Sequence, residues 1–237
     1  MSGHRRTSRL LVSVADHAEA IEALQTDIDI LDLKNPQEGA LGALPLAQVR
    51  LILQSNNGCK QTSATIGDVP MQPELVVERV EQMLATGVDI VKIGFFGSQG
   101  HEACIDAMTT FTAQGARLVA VLFADSRPNL DLLPRLKAAG FYGVMLDTAY
   151  KDGRHLLDHI LLDDLYGFVA QARHLGLQSG LAGSLRAQHI EALAPVGADY
   201  LGFRGGICEG FERRNKVSGT KIKHLHQMLH KCNTLQV

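Results

Sequence analysis

Aspartate and lysine side chains stand at the ends of apolar segments of this sequence, where they would lose contact with water. In DILDLKNP, Asp32 and Lys34 are two residues apart and close an apolar run. Side chains alternate across a strand, so these two would point to the same side, together with Ile30. The pair is therefore either a structural ion pair or a reactive site.

Other apolar segments carry ionisable side chains as well. Lys92 lies inside DIVKIGF, Asp147 ends GVMLD, and Lys151 follows Asp147 by four residues. Burying a charge costs on the order of several kcal/mol unless it is paired or neutralised. Taken singly, Lys92 fits a structural lysine tied to a carboxylate, and Lys151 fits a solvated surface residue. Their joint placement with Asp32 and Lys34 favours a reactive site.

The chemistry that crowded lysines support is attack on a carbonyl group. Neighbouring ammonium groups and loss of water both favour the neutral amine, so they lower the pKa of a lysine toward neutral pH. A neutral amine adds to an aldehyde or ketone and forms a Schiff base. Asp32 and Asp147 would orient the amines or move protons at the neighbouring carbon. We therefore predict that these two aspartates act with the three lysines.

Two glycine-rich segments predict a phosphate site. Gly183 and Ser184 stand at a helix start in LAGSLRAQ, and Gly205 and Gly206 follow an apolar run in FRGG. Glycine permits close approach of a ligand to the backbone, and N–H groups at a helix start suit an anion. Arg204 adds a positive charge there or bridges to a carboxylate. The alternative is that the glycines only allow turns.

The elements that must position these side chains form a regular alternation. Four segments with helical spacing end in glycine, which is the common stop signal of a helix. Eight short apolar runs rich in β-branched residues separate the helical segments and begin at Arg9, Ile28, Thr62, Asp89, Arg117, Gly143, Leu177 and Tyr200.

This alternation predicts a parallel sheet covered by helices, and eight units match a (β/α)8 TIM barrel. The prediction is a single domain over residues 1–237, with residues 1–8 as a short N-terminal extension. An open doubly wound sheet would usually carry G-x-G-x-x-G after the first strand, where VSVADHAEA stands. In a barrel, the lysines, aspartates and glycine loops would meet at the C-terminal ends of the strands.

The composition of the chain limits the classes of binding partner that it could have. The chain is 46% hydrophobic and 20% charged, with a net charge of -2 and no Trp, which predicts a soluble globular protein and argues against nucleic-acid binding. No segment approaches the roughly 20 apolar residues of a membrane span. Four cysteines without C-x-x-C spacing argue against zinc and disulfides and favour the cytoplasm. We predict no metal, although His226 and His230 are spaced i, i+4 on an expected amphipathic closing helix.

Six segments, in order, give the chain a specific resemblance. They are DLKNPQEGALGA, SATIGDVP, VKIGFFG, MLDTAYKDG, LAGSL and RGGIC. With them, the chain resembles the (5-formylfuran-3-yl)methyl phosphate synthase family of methanofuran biosynthesis, from about Leu10 to the last helix. The resemblance implies a TIM-barrel lyase that joins two molecules of glyceraldehyde 3-phosphate, losing phosphate and water, without metal or organic cofactor.

The resemblance also implies roles for individual residues. Lys34 matches the Schiff-base lysine of the family, and Asp32 matches its partner aspartate. Lys92 and Lys151 match the other catalytic lysines, and Asp147 matches the second carboxylate. Departures such as Ala40, where serine is common, bear on substrate specificity, because they remove no ionisable group.

Two other functions remain open on sequence alone. Another Schiff-base aldolase or isomerase of sugar phosphates would use the same lysines and glycines on a different carbonyl. A non-catalytic barrel that binds a phosphorylated metabolite would need only the phosphate loops. The expected partner is a small-molecule triose phosphate substrate, and the oligomeric state is open, with a homo-oligomer as one option.

Overall fold

Eight parallel strands close into a barrel in chain order, as the alternation predicted. The structure is a computed structural model that describes residues 7–150 and 152–235. Each predicted strand is present and starts within two residues of its expected position. The strands are β1 (Arg9–Val14), β2 (Ile30–Leu33), β3 (Gln61–Thr65), β4 (Ile90–Gly94), β5 (Leu118–Phe123), β6 (Gly143–Asp147), β7 (Gln178–Leu181) and β8 (Tyr200–Phe203).

Helices cover the outside of this barrel, as a single-domain TIM barrel requires. Short 3-10 turns follow β5, β7 and β8. The α-helices within the described ranges are α1 (His17–Leu24), α2 (Leu46–Asn56), α3 (Pro73–Leu84), α4 (His101–Ala107), α5 (Thr109–Ala113), α6 (Leu133–Ala138), α7 (Leu156–His159), α8 (Leu162–His174), α9 (Ile190–Leu193) and α10 (Gly219–Thr234).

Helix α3 illustrates how the sequence sets these elements. Pro73 occupies the first turn, where its missing N–H has no partner to lose. Val76, Val80 and Met83 recur at helical spacing, and they are the buried residues of the helix. After the helix, Gly87 has a φ of +88°, a left-handed conformation that glycine adopts without steric cost. The other three predicted stop glycines also have positive φ, namely Gly140, Gly176 and Gly197.

The core has two layers, because side chains of a barrel strand alternate between its inside and its outside. Leu10, Val12 and Val14 of β1 point outward and pack in the large cluster between the strands and the helices. Leu11 points inward and joins a smaller cluster that fills the barrel interior, together with Ile30. The inward direction of Ile30 agrees with the prediction that it shares one side of β2 with the ionisable pair.

The closing helix α10 is amphipathic, as the sequence indicated. Its buried residues are Gly219, Ile222, Leu225 and Leu229. Across the described ranges 7–150 and 152–235, every helix is too short or too polar to cross a bilayer.

Candidate active site

A cavity of about 320 Å³ opens at the C-terminal ends of the strands. Its volume lies within the roughly 300–1,000 Å³ that small-molecule sites occupy. Nine of the ten residues predicted for the site line this cavity, and they are Asp32, Lys34, Lys92, Asp147, Gly183, Ser184, Arg204, Gly205 and Gly206.

Asp32 and Lys92 form one buried ion pair in this cavity. Nζ of Lys92 lies 2.6 Å from Oδ1 of Asp32, and the two side chains are 3% and 0% exposed. The hydroxyls of Ser13 and Ser63 also donate to this carboxylate, at 2.7 and 2.6 Å. Both serines are the direct register neighbours of Asp32, on β1 and β3. The carboxylate is therefore fixed by three donors and holds the amine of Lys92 in place.

Lys34 and Asp147 form a second buried pair. Nζ of Lys34 donates to Oδ2 of Asp147 at 3.3 Å, and both side chains are almost completely buried. The backbone N–H of Thr148 donates to Oδ1 of Asp147 at 2.7 Å. The carboxylate partner of Lys34 therefore comes from β6, across the barrel, and not from its sequence neighbour.

Lys151 lies outside the described residues, so its predicted place in the site stays a prediction. The backbone immediately before it is held by a carboxylate. Asp125, which follows β5, accepts the N–H groups of Ala149 and Tyr150 at 2.9 and 2.7 Å. Asp125 therefore fixes the start of the loop that carries Lys151.

A second strand-end aspartate holds another loop in the same way. Asp68, after β3, accepts the N–H groups of Ala40 and Leu41 at 2.9 and 2.7 Å. Its carboxylate packs so closely on Gly39 that a Cβ there would lie 2.0 Å from Oδ2. Because Gly39 also has a φ of +86°, the loop after β2 requires glycine at this position.

The loops after β7 and β8 present unused backbone donors. Among the described residues, no acceptor takes the N–H groups of Ser184, Gly205 or Gly206. Ser184 has a φ of +51°, an uncommon conformation for a residue with a side chain, and such strain tends to occur at functional loops. A Cβ on Gly206 would lie 2.5 Å from the carbonyl oxygen of Leu185, so this glycine permits the two loops to touch. Unpaired N–H groups at a cavity wall are suited to an anion.

Arg204 has a different role from the phosphate contact that the sequence suggested. Its guanidinium makes two hydrogen bonds to the carboxylate of Glu19. Its other N–H groups donate to the backbone carbonyls of Ser13, Arg213 and Asn215. All five N–H donors are used within the protein, so none is left for a substrate phosphate. The alternative prediction, that Arg204 bridges to a carboxylate, is therefore confirmed.

This bridge predicts a loss of stability when its carboxylate is neutralised. Glu19→Gln should destabilise the protein by about 3 kcal/mol, because the charge of Arg204 would remain buried without compensation. Chemical denaturation measures the change. The matched control is Glu102→Gln, which removes an exposed partner of Arg135 and should cost about 0.5 kcal/mol or less. Equal effects of the two substitutions would contradict the structural role of Arg204.

Sequence reasoning missed two histidines that line the cavity. His155 precedes α7 and His189 follows β7, and their ring centroids are 4.1 Å apart. The N–H of Arg186 donates to Nδ1 of His189, which places the proton of the neutral ring on Nε2. Burial, followed by the charges of His155 and Arg186, lowers the pKa of His189, although Asp158 opposes this shift. Listing every polar residue in the loops after the strands would have found both histidines.

Cys208 is a buried thiol beside the glycine loop that follows β8. It is fully buried, and burial raises its pKa to about 11. A thiol with a raised pKa is protonated at neutral pH and is a weak nucleophile. Within the described part of the chain, no group of three or more His, Cys, Asp or Glu side chains is arranged to hold a metal ion.

Comparisons with known proteins identify the family of this chain. Residues 10–226 match the model of a family described as 4-HFC-P synthase. A candidate (5-formylfuran-3-yl)methyl phosphate synthase of Methylorubrum extorquens is 41% identical over 215 residues, which cover 90% of this chain and 88% of that protein. The (5-formylfuran-3-yl)methyl phosphate synthase of Methanothermobacter thermautotrophicus is 34% identical over 231 residues, covering 93% of this chain and 98% of that protein.

A solved structure supports the fold independently. The 3-hexulose-6-phosphate synthase of Salmonella typhimurium superposes with a TM-score of 0.62 at 17% identity, over 94% of this chain and 99% of that one. At this identity the likeness concerns the barrel architecture alone. The family match and the relatives extend over nearly the whole chain, and on them this chain belongs to the 4-HFC-P synthase family, which includes the (5-formylfuran-3-yl)methyl phosphate synthases.

Proposed function

We propose that this enzyme joins two molecules of glyceraldehyde 3-phosphate into (5-formylfuran-3-yl)methyl phosphate through a Schiff base on Lys34. The overall reaction balances when one phosphate and two water molecules are released for each furan. A new carbon–carbon bond and the closure of the ring are both required, so the site must activate a carbonyl and then move several protons.

The observation that carries this proposal is the pair of lysine–carboxylate contacts inside one cavity. Lys34 with Asp147 and Lys92 with Asp32 line the same cavity as the N–H groups of the two glycine loops. A protein that only bound a phosphorylated metabolite would need the loops alone. Burying amines with fixed carboxylates costs free energy of folding. Attack of an amine on a carbonyl carbon is a function that explains why such groups are buried here.

The first step is imine formation at Lys34. The amine adds to the aldehyde carbon of one triose phosphate, and the carbonyl oxygen leaves as water when the C=N bond forms. Asp147, at 3.3 Å from Nζ, faces the nitrogen that becomes positive, and its charge stabilises the iminium ion. The iminium acidifies the neighbouring C–H bond, so loss of that proton produces an enamine.

The enamine carbon then attacks the carbonyl carbon of the second triose phosphate. The new alkoxide requires a proton, and the later loss of water and phosphate requires further proton transfers. We assign Lys92, which lies 2.6 Å from Asp32, the role of proton donor to oxygen, and its burial in this cavity supports that role. We propose Lys151, from the loop that Asp125 fixes, as a further proton carrier.

Incubation of the purified protein with glyceraldehyde 3-phosphate alone should test the function. We expect a new ultraviolet absorbance from the conjugated furan aldehyde and the release of one inorganic phosphate for each furan formed. Mass spectrometry should identify the product. An aldolase or isomerase would instead produce sugar phosphates, without this absorbance and without phosphate release. That outcome would refute the proposed furan synthase activity.

A further inference from the structure

Two triose phosphates bring two phosphate groups into one cavity, so the site needs two places that bind an anion. Each phosphate monoester carries about two negative charges at neutral pH, and like charges repel. The N–H groups of Ser184, Gly205 and Gly206 form one such place. Arg204 is committed to Glu19 and cannot supply the second.

Two further arginines line the cavity. The guanidinium of Arg186 lies over the ring of Phe211, whereas Arg213 has N–H donors that no acceptor uses in the described part of the chain. It lies in the loop between β8 and α10, and it lines the cavity. Its Nη2 donates to the carbonyl oxygen of Gly39 at 3.0 Å, which ties it to the loop after β2. In the described part of the chain, its Nε and Nη1 groups donate to no acceptor, and no carboxylate lies within ion-pairing distance.

The electrostatic surroundings of Arg213 indicate what it is suited to bind. Burial lowers the pKa of Arg213, and Asp147 is the charge that opposes this shift most strongly. Arg213 lines the same cavity as the Lys34–Asp147 pair. A partly buried charge without an ion-pair partner is unfavourable, and a bound anion would compensate it. The planar fork of arginine matches two oxygens of a phosphate.

We propose that Arg213 binds the phosphate group of the second triose phosphate, opposite the glycine loops that bind the first. This inference rests on the proposed function, which supplies the second phosphate. The tether to Gly39 aims the guanidinium, so the loop after β2 takes part in substrate binding through its backbone.

The experiment compares Arg213→Gln, Arg213→Lys and Arg214→Gln with the wild-type protein. The measurements are the KM for glyceraldehyde 3-phosphate in furan formation and the inhibition constant of inorganic phosphate. Arg213→Gln should raise both by about tenfold or more, because a charge-assisted hydrogen bond is lost. Arg213→Lys should raise both several-fold, since an ammonium lacks the fork. Arg214 is exposed and does not line the cavity, so Arg214→Gln should change neither.

Equal KM values for Arg213→Gln and Arg214→Gln, both with wild-type melting temperatures, would overturn the inference. If Arg213→Gln does not fold, an unchanged KM in folded Arg213→Lys would overturn it instead. If the wild-type protein makes no furan, the proposed function fails separately. Calorimetric binding of inorganic phosphate alone then tests Arg213, and equal affinity in wild type and Arg213→Gln would refute its role.

Discussion

Replacement of Lys34 by arginine should leave a folded protein whose furan formation falls below detection. Arginine stays protonated at any pH at which the protein is folded, so it has no lone pair with which to attack an aldehyde. Its positive charge still compensates Asp147, which is why we expect the fold to survive. The measurements are the initial rate of furan formation and the melting temperature.

Borohydride treatment during turnover tests the same assignment directly. Reduction should convert the imine into a stable secondary amine, which peptide mass analysis should locate on Lys34 in the wild-type protein and nowhere in Lys34→Arg. Lys223→Arg on α10 is the matched control, because Lys223 is exposed and does not line the cavity. An adduct on Lys92 would reverse the roles of the two lysines, and furan formation by Lys34→Arg would exclude the Schiff base at this position.

The barrel could be predicted from the sequence because its signals are local. Each strand is a short apolar run, and glycines such as Gly87 and Gly140 stop the helices between them. The gathering of lysines and aspartates at one end also follows from local signals, since the C-terminal ends of parallel strands share one face. These inferences need only the order and the length of the elements.

The pairing within the site could not be read from adjacency along the chain. Asp32 and Lys34 are two residues apart, yet each pairs with a residue of another strand. Inward side chains of a barrel form layers that draw on alternate strands, and Asp32 and Lys92 come from the alternate strands β2 and β4. The layer rule, applied with the register, would have found the Asp32–Lys92 pair.

Arg204 and Arg213 were harder to predict, for opposite reasons. FRGG places Arg204 beside two glycines and suggests a phosphate contact, but the carboxylate that uses its donors lies in α1, far away in the sequence. Arg213 stands in CEGFERRNK, a polar stretch typical of a solvated loop. Its partial burial depends on contact with the loop after β2, which no local pattern reveals.

Neutralising Asp32 should affect both stability and activity strongly. Asp32→Asn keeps the size of the side chain and can still hydrogen-bond with Ser13 and Ser63, but it removes the charge that compensates Lys92. We expect a loss of about 3 kcal/mol in the free energy of unfolding, because the ammonium would stay buried without a partner. We also expect furan formation to fall by about 10²–10⁴-fold, the usual range for a lost acid–base group.

A double variant separates a structural ion pair from a reactive one. Lys92→Met removes the buried ammonium and, in combination with Asp32→Asn, removes both charges. Replacing a buried ion pair by neutral groups of similar volume is often harmless to stability. The double variant should therefore recover most of the stability that Asp32→Asn loses, as measured by chemical denaturation of all four proteins.

Activity should not recover in the double variant, because no amine remains at position 92 to move a proton. Stability would then recover while the rate of furan formation stays low. A purely structural ion pair cannot produce this combination, because restored stability would then restore turnover. Recovery of furan formation in Asp32→Asn/Lys92→Met would show that the pair serves only the fold. Loss of activity in a protein of normal stability would instead place Lys92 and Asp32 in the chemistry, with β2 and β4 as the rigid elements that hold them.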